Sequence, residues 1–151
     1  MSVRRAAIQD TPALVRMACR FIAESSYRGV VTPDPLHQAK LVAFLQDHGG
    51  LFVAERRKLL EPVGFIAFAA TPAILTGELT ACEVGWWVEP EFRKGGAGLE
   101  LLDAGEEWAR HIGAGEIQMI APIGSDVDVT KIYQRRGYRP LETLWSKRLV
   151  A

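Results

Sequence analysis

One run constrains the fold of this chain more than any other: Trp86-Trp87-Val88-Glu89-Pro90-Glu91-Phe92-Arg93-Lys94-Gly95-Gly96-Ala97-Gly98-Leu99. An apolar strand stops at a proline, a short basic and glycine-rich turn follows, and an amphipathic helix begins. The first amides of a helix have no partner within it, and the helix dipole adds positive potential at the same end, so such a junction attracts anions, phosphate above all. Gly95, Gly96 and Gly98 let backbone approach a bulky ligand without a Cβ in the way, while Arg93 and Lys94 bring charge to the same place.

The elements on either side agree with one α+β domain over residues 1–151, a central twisted mixed sheet flanked by about four helices. Val3 to Ala7 reads as a strand, and Asp10-Thr11-Pro12 as a helix start with an N-capping side chain. Leu14, Ala18, Phe21 and Ile22 recur at helical spacing, and a loop rich in turn formers follows from Ser25 to Pro35. A second helix is expected from Leu36 to His48 with Leu41, Phe44 and Leu45 on its packed side, ended by Gly49-Gly50. Leu51–Glu55 and Val63–Phe68 read as paired strands around Arg56-Arg57-Lys58, a solvated turn, and Leu79–Val88 as a third. Beyond the glycine turn, Leu101, Gly105, Trp108 and Ile112 form one stripe with Leu102 and Ala109 beside it. Glu116–Ala121 is the next expected strand, parallel to the one before the helix. A short helix through Tyr133, capped by Ser125 or Asp126, and closing strands from Tyr138 and over Leu144–Val150 complete the order.

The turn's spacing is neither that of a Walker loop nor that of a dinucleotide fingerprint, since position 101 is Leu. It is Val88-x-Pro90-x-x-Arg93-x-x-Gly96-x-Gly98, which resembles the acetyl-CoA pyrophosphate loop of the GNAT N-acetyltransferase superfamily. Tyr133-x-x-x-Gly137-Tyr138 is a second match, and Val3-Arg4-x-Ala6-x-x-x-Asp10 resembles the opening of many of its members. The resemblance implies direct transfer of an acetyl group from acetyl-CoA to a primary amine, carried on a small molecule or a peptide, with a homodimer left open. It implies cofactor contacts from Trp87, Val88, Arg93, Lys94, Gly95, Gly96, Ala97 and Gly98, and an oxyanion site at a bulge near Trp87 and Val88. It also makes Tyr133 the acid beside the departing sulfur. A phenol can protonate a thiolate at modest cost, because their ordinary pKa values are about 10 and 8.5. Many members carry asparagine where this chain has Asp126; a carboxylate near phosphates is unfavourable unless it merely caps the helix.

Glu83 is the base candidate, for it interrupts an apolar strand, and burial raises a carboxylate toward the range in which it can take a proton from an ammonium. No nucleophile–histidine–acid grouping stands out. The rival reading is a catalytically silent acetyl-CoA-binding or structural interaction module with the same fold. Lys+Arg and Asp+Glu number 18 each, a balance that argues against partners among nucleic acids and anionic membranes. Cys19, Cys82 and the three histidines lack metal-ligand spacing, so no metal is expected, and a cytoplasmic protein is expected from the absence of an apolar leader.

Overall fold

Charge as well as strand pairing ties down the start of the chain. In the computed structural model, which describes residues 1–56, 61–125 and 127–150, strand β1 (Ser2–Arg5) runs through a 3-10 turn at Ile8–Asp10 into helix α1 (Thr11–Ala23). Asp10 does not cap that helix. Its backbone is already helical, and its buried carboxylate accepts from the Ala7 N–H at 2.8 Å and pairs with Arg4 at 2.7 Å. Burial alone would push this carboxyl up, but Arg4 and the Ala7 amide more than offset that and hold it below its ordinary value. A depressed acid stabilises the fold above its unfolded pKa, so this anchor weakens as pH falls through the acid range. Asp10→Ala would leave a buried amide and a half-buried guanidinium short of a partner. We expect it to cost about 2–3 kcal/mol at pH 7, read from a urea midpoint; an unchanged midpoint would refute the anchor.

Helix α2 (Pro35–His48) is capped by Asp34, whose carboxylate accepts from Leu36 and His37 N–H. Its buried residues are Val42 and Leu45, whereas Phe44 is 54% exposed and lies tilted against His48, because position 44 lies to the side of the sheet-facing stripe. Strands β2 (Gly50–Glu55), β3 (Pro62–Pro72) and β4 (Leu79–Val88) form an antiparallel run with β1. Helix α3 (Ala97–His111) then leads to β5 (Glu116–Gln118), parallel to β4 as expected. The sheet is therefore mixed, in the order β1-β2-β3-β4-β5. Helix α4 (Thr130–Arg135) follows, its first amide held by Asp128 rather than by Ser125, whose hydroxyl accepts from Val127 N–H. Arg57 to Leu60 and Asp126 lie outside the described residues.

The sheet is covered on both faces. One face carries α1 and α2 over Leu14, Met17, Leu45, Val53 and Phe65; the other carries α3 over Phe52, Ile66, Phe68 and Leu101. Gly49 and Gly50 serve this packing rather than a left-handed helix end: Gly49 has φ −116°, and a Cβ on Gly50 would come within 2.5 Å of the Trp108 ring. The expected closing strands do not form among the described residues. Leu144 is 86% and Trp145 90% exposed, and no ladder partner takes them. No described helix is long and apolar enough to cross a membrane.

Candidate functional site

The β4–β5 ladder ends at the pair Cys82–Gln118, and the chemistry-bearing side chains gather where it stops. Opposite Ala67 and Phe68, β4 carries one extra residue, Val84, a bulge that lies three residues before the expected position at Trp87. Such a residue bends its strand and re-aims the side chains on either side. Glu83, just before it, is 8% exposed and reaches across to β5's continuation, where its Oε2 accepts from the Ile120 N–H at 2.9 Å. From α4, Tyr133 comes to the same residue: its hydroxyl donates to the Ile120 carbonyl at 2.9 Å. One peptide position thus fixes both groups, the carboxylate through its N–H and the phenol through its C=O. The Tyr133 ring lies 6.2 Å from that of Trp86 and 5.4 Å from that of Tyr138.

Their surroundings drive their proton affinities. Burial pushes Glu83 up to about 7, against the pull of the Ile120 amide and the Tyr133 hydroxyl. Burial also raises the Tyr133 phenol well above its ordinary value, and the neighbouring Glu83 charge raises it further. At neutral pH the pair therefore consists of a carboxyl near its midpoint and a phenol that keeps its proton. The two are coupled in a useful direction, since a proton gained by Glu83 removes a charge that holds the Tyr133 proton on.

The glycine turn lies at the far end of β4. Pro90–Gly95 forms a 3-10 turn, and Gly96 enters α3 at φ +84°, a left-handed conformation that a side chain would strain. The first turn of α3 has no side-chain cap, so its leading amides face outward as bare donors. A Cβ at Gly98 would touch Trp86 Cζ2 at 3.4 Å and Val88 Cγ2 at 3.8 Å, ordinary contacts on the sheet side, whereas one at Gly96 would meet only Glu100 Oε1 and one at Gly95 only Met1 Cε, each at 3.8 Å. Ala97 is buried and roots the helix start, Lys94 is exposed, and Val88 is buried against α3's side of the sheet. Bare amides, absent Cβ atoms and a nearby cation fit the diphosphate of a coenzyme A thioester. No group of histidine, cysteine, aspartate and glutamate residues that could hold a metal ion occurs among the described residues.

Arg93 has a duty that its sequence position did not reveal. Its Nε–H donates to the Val88 carbonyl at 2.9 Å, and its guanidinium stacks 4.6 Å over the Trp87 ring. On the same face, Glu89 is buried and accepts from Trp87 Nε1 at 3.3 Å and from Arg20 at 2.6 Å. This cluster clamps the strand end from the α1 side. Glu89 was missed because a glutamate before proline reads as a turn residue, and its partner Arg20 is 69 positions away.

A family model described as Acetyltransferase (GNAT) family matches residues 17–138. No curated protein sequence matches. Among solved structures, a ribosomal-protein-alanine N-acetyltransferase from Brucella melitensis biovar Abortus 2308 superposes with a TM-score of 0.74 at 16% identity, over 99% of this chain and 100% of that one. AAC(6')-Iy, solved in complex with the bisubstrate analog CoA-S-monomethyl-acetylneamine, gives 0.73 at 19% identity over 99% and 98%. A transcriptional regulator from Bacillus halodurans C-125 gives 0.78 at 19% over 98% and 99%. At these identities the likeness is one of fold.

Proposed function

Because this chain belongs to the GNAT acetyltransferase family, we propose that it moves an acetyl group from acetyl-CoA directly to a primary amine. The observation that carries this reading is the attachment of Glu83 and Tyr133 to the N–H and the C=O of one residue, Ile120, just past the end of the β4–β5 ladder. Acetyl-CoA would supply the acetyl group in activated form, as a thioester whose thiolate leaves readily. The amides of Gly96, Ala97 and Gly98 would hold its diphosphate with Lys94 nearby, and Trp87 and Val88 would line the strand end that Arg93 keeps in shape.

Glu83 takes the proton of the incoming ammonium, directly or through one water, since only the free amine attacks. A carboxylate with a pKa of about 7 is matched to that task near neutral pH. Tyr133 supplies the proton that the departing sulfur needs. Its hydroxyl must first leave the Ile120 carbonyl, a neutral hydrogen bond worth about 1 kcal/mol. The bulge at Val84 interrupts the β3–β4 pairing beside Glu83, which frees backbone N–H there as an oxyanion donor.

Gly96→Ala tests the cradle. Its Cβ would meet only Glu100 Oε1, at 3.8 Å, and the left-handed φ of +84° should cost the fold about 1–2 kcal/mol, read from a thermal melt. A methyl beside the leading amides of α3 should weaken coenzyme A binding by about 10- to 100-fold, read by calorimetry. Unchanged affinity would remove the turn from the site. Tight coenzyme A binding by the unaltered protein, with no acetyl transfer to any of a broad panel of amines, would favour the silent binding module instead.

A further inference from the structure

We propose that the acceptor is a small primary amine carried on a single uncharged apolar group, about one aromatic ring or one branched alkyl chain in size, seated between α1, α2 and the sheet. This rests on the acetyltransferase reading above and names the substrate class that reading leaves open.

A cavity of about 220 Å³ lies under α1 and α2, with walls from Leu14, Phe21, Tyr27, Leu41 and Phe65. Its floor includes Val84 and Gly85, the bulge residue and its successor, so it reaches β4 directly after Glu83 and from the face opposite α3. Glu83 pairs with Phe68 and so points to the α3 face; an amine whose body fills this cavity would reach its carboxylate past the edge of β4, which is open where the β4–β5 ladder stops at Cys82–Gln118.

The chemistry of the walls selects the guest. Apart from Gln38 and the Tyr27 hydroxyl, the described lining is apolar; it contains no Asp, Glu, Lys or Arg. A polycationic acceptor would desolvate charges there without compensation. Glu83 offers one carboxylate, for the reacting nitrogen, and the other buried glutamate, Glu89 just past β4, is already committed to Arg20 and Trp87. Phe21 presents its edge to Trp87 at 6.5 Å and tilts against Tyr27 at 6.0 Å, so two aromatic contacts hold a wall that a ring can pack on. Size sets the other limit, for a dry apolar cavity of roughly 150 Å³ accommodates one benzene. A three-ring amino sugar would not fit.

The molecule's larger depression, about 730 Å³, is bordered by Arg4, Asp10, Arg16, Glu55 and Glu61 and contains none of the site residues. Most of its charges are spent on one another, in the pairs Arg4–Asp10, Arg4–Glu55 and Arg16–Glu61, and Arg5 donates to the Gly49 carbonyl. It is a seam between β1 and α1 rather than an acceptor site.

The test compares 2-phenylethylamine and isoamylamine with spermidine as acceptors, and pairs kinetics with binding of 2-phenylethylamine followed by NMR titration. We expect kcat/KM to favour the two apolar amines by at least about 100-fold over spermidine. Ala18→Phe, which fills the cavity from α1, should lower kcat/KM for 2-phenylethylamine at least about 10-fold through KM and abolish its NMR shifts, with coenzyme A affinity unchanged. Gln38→Glu, which puts a carboxylate in the wall without adding bulk, should narrow the preference toward spermidine and serves if Ala18→Phe does not fold. Preference for spermidine in the unaltered enzyme, or 2-phenylethylamine binding that survives both variants, would overturn the inference. If no amine is acetylated but 2-phenylethylamine still binds in the cavity and is displaced by Ala18→Phe, the assignment of the cavity stands and the acetyltransferase reading falls.

Discussion

Tyr133→Phe is expected to lower the rate of acetyl transfer by about 10- to 1,000-fold without abolishing it, and to leave KM for both substrates within about twofold. The size follows from the leaving group. A thiolate departs unaided far better than an alkoxide or an amide, so the phenol shortens a barrier that is already modest. The substitution removes only the oxygen, and the ring keeps its contacts with Trp86 and Tyr138. Loss of the bond to the Ile120 carbonyl should cost about 1 kcal/mol of stability, small enough that the variant folds. Measurement of kcat with saturating acetyl-CoA, beside a thermal melt, separates the two effects. A kcat within twofold of the unaltered enzyme would make Tyr133 a packing residue whose hydroxyl merely satisfies Ile120.

Much of this site was legible from local pattern, and what was not has identifiable causes. Proline, three glycines and a stripe at helical spacing announce the β4–turn–α3 junction because each acts on its own backbone neighbourhood. The burial of Leu101, Leu102, Gly105 and Trp108 on α3 follows from that stripe. The face that Glu83 uses could not be read by counting alternate residues, since the extra residue at Val84 resets the alternation within the strand. Ile120 was invisible for another reason: what it contributes is a peptide N–H and C=O, which every non-proline residue owns. The clamp of Arg20, Glu89, Trp87 and Arg93 joins α1 to the end of β4, and local periodicity carries no information about contacts between such distant segments. Leu144, Trp145 and Leu149 misled in the opposite direction. Their apolarity suits a strand, but apolar residues also occupy much of any protein's surface, and here they are exposed.

Glu83→Gln is expected to have the largest effect on turnover, a loss of about 100- to 10,000-fold near neutral pH, together with a gain in stability. The two follow from one cause. The carboxyl is buried, so its folded-state pKa of about 7 stands above the ordinary 4.5. A raised acid pKa means that the fold favours the protonated form. The unaltered protein therefore loses stability as pH rises from about 4.5 to 7, and above 7 the full cost of the buried charge is present, on the order of 3 kcal/mol. Glutamine keeps an oxygen to accept the Ile120 N–H and carries no charge, so the variant should melt higher than the unaltered protein at pH 8 and alike at pH 4. Its kinetics should move as well. In the unaltered enzyme kcat should rise with pH along a limb centred near 7, as Glu83 loses its proton and becomes a base. Without that base the acceptor ammonium must lose its proton to solvent, and the limb should shift toward the amine's own pKa, about 10.4 for an alkylamine such as lysine. The deficit should therefore shrink at alkaline pH. A limb that stays near 7 in the variant would assign it to another group. A higher melting point at pH 8 with undiminished kcat would leave Glu83 a buried acid that burdens the fold and takes no part in the reaction.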